Sequence, residues 1–80
     1  MEVFDSWRNS PSVPSDWKPR AQPGAMLKVN VKNRGALRAL RQVIPGNWMK
    51  VYHYGLDGSA IHYFQHASGK VAAVKYKAPR

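Results

Sequence analysis

The feature that most constrains this fold is a succession of three β-rich runs near the C-terminus. They are Trp48 to Tyr54, Ser59 to His66 and Val71 to Lys77. Asp57-Gly58 separates the first two, and Ala67-Ser68-Gly69-Lys70 separates the last two. An Asp-Gly pair between alternating runs is a strong hairpin signal. Consecutive strands joined by tight turns pair with their neighbours, so these runs predict an antiparallel meander.

Upstream, Leu27, Val29 and Val31 alternate with Lys28, Asn30 and Lys32, a strand pattern over residues 26–31. Asn33 is a suitable N-cap. Beyond it, Ala36, Leu37, Leu40, Val43 and Ile44 recur at steps of three and four, which marks an amphipathic helix ended by Pro45-Gly46. The expected class is α+β: one amphipathic helix on a small antiparallel meander of three to four strands. Residues 1–24 contain Pro11, Pro14, Pro19 and Pro23 and follow neither period, so they predict an irregular, extended leader. Its Phe4, Trp7 and Trp17 either lie across the domain or belong to a connection with a larger chain. The expected organisation is a leader over 1–24 and a basic α+β domain over 25–80.

Eighty residues allow one small domain, and the absence of cysteine excludes a disulfide scaffold and a zinc ribbon. A chain this short buries only about 60 % of its unfolded surface, so a partner covering part of it would add stability. No apolar run approaches the roughly 18 residues of a membrane span, and the N-terminus lacks a signal-peptide pattern. No membrane association is expected.

The net charge is +9 at pH 7. Residues 1–24 are neutral, whereas residues 25–80 hold ten Lys and Arg against Asp57 alone. So one-sided a potential attracts polyanions, chiefly nucleic acid. On the helix, Arg34, Arg38 and Arg41 fall on one stripe. Lys50, Lys70 and Lys77 extend the basic set to the strands, and all six are candidate nucleic-acid contacts.

Side chains alternate faces along a strand. With a two- or four-residue first turn, His53 lies on the same face as His62. With the Ser68-Gly69 or the longer Ala67–Lys70 turn, His62 faces Lys75 and His66 faces Val71. One face then carries Trp48, Lys50, Tyr52, Tyr54, Ile61, Tyr63, Gln65, Ala72, Val74 and Tyr76, and suits the helix. The other carries Met49, Val51, Phe64, Val71 and Ala73 with all three histidines, Lys75 and Lys77. A bulge would break this parity.

Of the four carboxylates, three are in the leader and one is in a turn, which argues against paired-carboxylate and two-metal chemistry. No Gly-rich phosphate loop is present. The remaining His, Lys, Arg and Tyr suit RNA cleavage without metal or cofactor. The RNA supplies its 2′-hydroxyl, imidazoles move protons, and cations offset the phosphorane charge. His62 is the leading candidate, with His53, His66 and Lys75 beside it. A three-histidine zinc site would sit amid positive charge with no carboxylate to orient its ligands, and is disfavoured.

Ile61-His62-Tyr63-Phe64-Gln65-His66-Ala67-Ser68-Gly69-Lys70-Val71, followed by Val74-Lys75-Tyr76-Lys77, resembles the end of C-terminal toxin domains of bacterial polymorphic toxins of the contact-dependent inhibition and Rhs type. The helix-then-meander order over residues 33–77 is similar to the barnase/EndoU/colicin/RelE group of ribonucleases. The resemblance implies a metal-independent endoribonuclease that leaves a 2′,3′-cyclic phosphate, with tRNA a common target. It further implies an acidic immunity protein as inhibitor, so that the domain is a monomer or a heterodimer with it. Action in the bacterial cytoplasm after delivery within a larger secreted protein would follow. His62 and Lys75 match the motif positions. Two other readings stand beside it: a non-catalytic basic module binding RNA or DNA, and a protein-interaction or inhibitor domain.

Overall fold

The computed structural model describes residues 1–79. It is α+β, with one helix and a five-stranded antiparallel sheet. The strands are β1 (Val3–Phe4), β2 (Met26–Asn30), β3 (Trp48–Tyr54), β4 (Ala60–His66) and β5 (Val71–Lys77). The helix α1 (Arg34–Val43) lies between β2 and β3 in sequence. The strand order is β1-β5-β4-β3-β2, so the first strand closes the edge beside the last. The expectation of three to four strands is one short, because β1 comes from the leader. No helix among the described residues is long and apolar enough to cross a membrane.

Helix α1 begins as its sequence dictates: the Asn33 side chain accepts from the Ala36 N–H at 3.0 Å. Its last turn is held by three side chains. The indole of Trp48 donates to the Ile44 carbonyl, Arg41 Nε donates to the Gly46 carbonyl, and His66 Nε2 lies 2.9 Å from the Pro45 carbonyl. Gly46 has φ +124°, and a Cβ there would meet His66 Nε2 at 2.9 Å. The helix buries Leu40 against Trp48 and Ala72, with Val3, Val31, Leu37, Ile44 and Phe64 around them.

Both hairpin turns have three residues rather than two or four. Gly55 N–H donates to the Ser59 carbonyl and His66 N–H to the Lys70 carbonyl, each at 2.8 Å. Gly58 and Gly69 take the left-handed conformation (φ +84° and +98°) that closes a type I turn into this loop. The odd length slips β3 against β4 by one residue from the expected register and exchanges the faces of β4. Tyr52 pairs with His62, Trp48 with His66, and His53 with Ile61. A bulge in β5, centred on Ala73 at φ +53°, then shifts the register again. The two offsets cancel, so His62 does pair with Lys75 as expected, whereas Phe64 pairs with Ala72 instead of Ala73.

Residues 1–24 are not a linker beside the domain. Trp17 is buried in one core with Val51, Ile61, Tyr63, Val71 and Val74, and Phe4, Trp7 and Val13 pack onto it. The leader therefore lies across the sheet face opposite the helix. Trp17 Nε1 donates to Ser59 Oγ at 2.7 Å, and Ser59 Oγ donates to Asp57 Oδ1, tying the leader to the first hairpin. Backbone bonds from Arg20 N–H to the Tyr54 carbonyl and from Leu56 N–H to the Lys18 carbonyl continue the seam. Gly55 sits so close beneath Trp17 that a Cβ would stand 2.8 Å from the indole nitrogen.

Candidate nucleic-acid interface

The two sheet faces are covered unequally: the leader buries its face from Val71 to Ile61, whereas the helix covers only one end of the other. On the helix face, α1 shields the Trp48 and Ala72 end, and the residues farther along β3 and β4 are half-exposed. That open half carries Lys50, Tyr52 and Tyr54 from β3, His62 and Phe64 from β4, and Lys75 and Lys77 from β5. The lysines of β5 are there because of the bulge. Val71 and Val74 both enter the leader-side core although three residues apart, a spacing that a regular strand cannot send to one side. The extra residue at Ala73 resolves the conflict and turns Lys75 and Lys77 toward His62.

His62 has the Tyr52 ring as its nearest aromatic neighbour, centroids 4.6 Å apart and nearly edge-on. Partial burial lowers its pKa from the usual 6.5, and the positive charges of Lys50, Lys77 and Lys75 lower it further. Its imidazole is thus neutral at pH 7 and free to accept a proton. The Lys50 ammonium stands 5.4 Å from the Tyr52 ring centre and 5.6 Å from that of Phe64.

Three hollows adjoin along this surface. A small one of about 200 Å³ is lined by Lys50, His62, Phe64, Ala73, Lys75 and Lys77. A wider one of about 600 Å³ lies between His62, Tyr54, Lys77 and the Asp57-Gly58 turn. The third, about 400 Å³, runs from Val29–Asn33 to Lys50, Tyr52 and Phe64. The one carboxylate lining them, Asp57, accepts hydrogen bonds from the Ser59 backbone and hydroxyl, which hold its pKa below the usual carboxylate value. The arrangement suits a polyanion: a neutral base, three ammonium groups and aromatic edges on an uncovered sheet.

The three histidines do not converge. His53 is 8 % exposed on the leader face, its ring 5.3 Å from Trp7 and 5.4 Å from Trp17, and its Nδ1 has no hydrogen-bond partner. It keeps the face that its strand parity predicts, but the one-residue slip between β3 and β4 moves His62 and His66 to the other face, which removes His53 from the catalytic set. His66 shares the face of His62 but serves as a clamp: Nδ1 meets Ser68, Nε2 meets Pro45 O, and the ring lies against Trp48. A three-histidine zinc site is likewise not formed, since the rings occupy opposite faces.

Among the basic candidates, Lys50, Lys75 and Lys77 gather around His62. Lys70 sits at the far hairpin, paired with Asp5 at 2.6 Å. Arg41 holds the Pro45-Gly46 turn, and Arg34 and Arg38 are exposed on α1 and line none of the three hollows. Pattern reading assigned Tyr52 to the helix-packing face and Phe64 to the histidine face, and named neither as a site residue. The legible signal for them was the half-polar alternation of β3 and β4, misread by one step. No protein-family model, curated protein or solved structure matches this chain.

Proposed function

We propose that the protein is a metal-independent endoribonuclease that holds RNA on the open half of the helix face and cuts it beside His62. The observation that carries this reading is a neutral imidazole standing between three lysines on an uncovered surface. His62 takes the proton of the 2′-hydroxyl as O2′ bonds to phosphorus. The bond from phosphorus to O5′ breaks, and the leaving oxygen takes a proton from the Lys75 ammonium, His62's cross-strand partner. Lys50 and Lys77 offset the charge on the pentavalent phosphate. The products are a 2′,3′-cyclic phosphate and a 5′-hydroxyl. The strongly positive charge also suits an acidic inhibitor protein, as the resemblance to toxin domains implies.

A second reading is RNA binding without cleavage. It is favoured by the commitment of His53 and His66 to structural roles, which leaves no second imidazole to act as acid. One experiment separates the two. Purified protein is incubated with total RNA in EDTA, and product ends are identified. Cyclic phosphates that diminish by at least about tenfold in His62→Ala support cleavage. Intact RNA that still binds the protein supports the second reading. Cutting that requires a divalent metal, or full activity in His62→Ala, overturns the first.

A further inference from the structure

The third hollow differs in chemistry from its two neighbours. It is lined by Val29, Val31 and the Tyr52 and Phe64 rings, with Asn30, Lys32, Asn33 and Lys50 supplying its polar groups. Val29 pairs across the sheet with Lys50, and Lys50 pairs with Phe64, so these three stand in one row on the open face. Lys50 belongs both to this hollow and to the one holding His62. The apolar hollow and the lysine cluster are therefore contiguous, joined at one ammonium group.

We propose that this hollow is a base-binding subsite that takes one unpaired nucleobase of the strand whose phosphates lie on Lys50, Lys75 and Lys77. The proposal rests on the reading of this surface as an RNA face and names its substrate class, single-stranded rather than duplex. Charge complementarity selects the occupant: whatever fills the hollow must carry an anion toward Lys50 while presenting a flat apolar body to the rings. A nucleotide does both. Its base stacks on an aromatic ring irrespective of sequence, and its phosphate meets the ammonium. About 400 Å³ falls at the lower end of the range of roughly 300–1,000 Å³ for small-ligand sites. Phe64 and His62 are two residues apart on one face of β4, about 7 Å at the usual strand rise. That is within reach of a base whose own phosphate sits at His62. A duplex keeps its bases stacked inside and cannot offer one to a recessed wall.

The test measures anisotropy of a labelled eight-nucleotide 2′-O-methyl RNA strand, which binds without being cut. It is compared with an abasic strand of equal length and with the same sequence in a hairpin duplex. The intact strand is expected to bind at least about tenfold tighter than either, the scale of one stacked base. Tyr52→Ala should remove most of that preference. Val29→Phe, at an edge-strand position, fills the hollow without opening a cavity and should act in the same way. Equal affinity for intact and abasic strands overturns the subsite while leaving the polyanion face standing. A Val29→Phe variant that keeps the full preference also overturns it. If none of the three probes binds, the RNA reading and the subsite fall together.

Discussion

At the scale of single residues, the histidines show how far environment outweighs type. His62 and His53 both have pKa values below 6.5, and burial is the leading cause for each. Their consequences differ because one faces solvent and lysines, the other two tryptophans. In the proposed cleavage His62 acts as the neutral ring, so the rate should fall as pH drops through the lowered imidazole pKa and level off toward neutrality. Lys50→Ala removes one of the repelling charges and should move that acidic limb to higher pH, which a pH–rate profile of the variant measures. His53 governs stability instead. Burial and the nearby Arg8 charge depress its folded-state pKa, so below 6.5 the unfolded chain binds the proton more readily. Stability is then complete above pH 6.5 and declines as pH falls. Thermal melts at pH 7.5 and pH 5 should differ in that direction, and His53→Phe should shrink the difference. None of this separation was legible in the sequence. Three His on one inferred face is a parity argument, and parity fails when a turn has an odd number of residues.

At the scale of elements, the helix was legible because its signals are local: an Asn cap, a period of three to four, and a Pro-Gly stop. The strands were legible for the same reason, but their register was not. Asp57-Gly58 marks a turn without fixing whether two or three residues lie outside the ladder, and each choice sends a different set of side chains to each face. The bulge left one mark, the three-residue spacing of Val71 and Val74, which becomes meaningful only once both are seen to share a core. Ala73 adopts φ +53°, a conformation that costs a residue with a Cβ about 1–2 kcal/mol. Ala73→Gly should therefore raise stability by up to about 1 kcal/mol while keeping RNA cleavage, as chemical denaturation and an activity assay would show. Deleting Ala73 removes the bulge together with the odd spacing, so a regular β5 keeps Val74 in the core and Lys75 and Lys77 beside His62, and cleavage should persist in the deletion variant. The leader was unreadable for a different reason. Its order comes from long-range contacts such as Trp17 with Ser59, which leave no periodic trace in residues 1–24.

At the scale of the whole molecule, the two faces of the sheet are covered by different parts of the chain and to different extents. The helix covers one and the leader the other, and the uncovered half beside His62 is where the lysines collect. A strand bound there by three ammonium groups should release about as many counterions. The slope of log affinity against log salt is then roughly −2 for single-stranded RNA, becoming shallower by about 0.7 for each lysine replaced by alanine. A slope near zero would refute electrostatic capture at this surface. The edge pairing of Val3 with Ala72 joins positions 69 residues apart. Lys75 and Lys77 follow on the same strand, which must dock before the β1 edge can form. During synthesis, then, no nascent chain shorter than this can assemble the cationic cluster, because two of the three lysines beside His62 are among the last residues of the sheet to emerge.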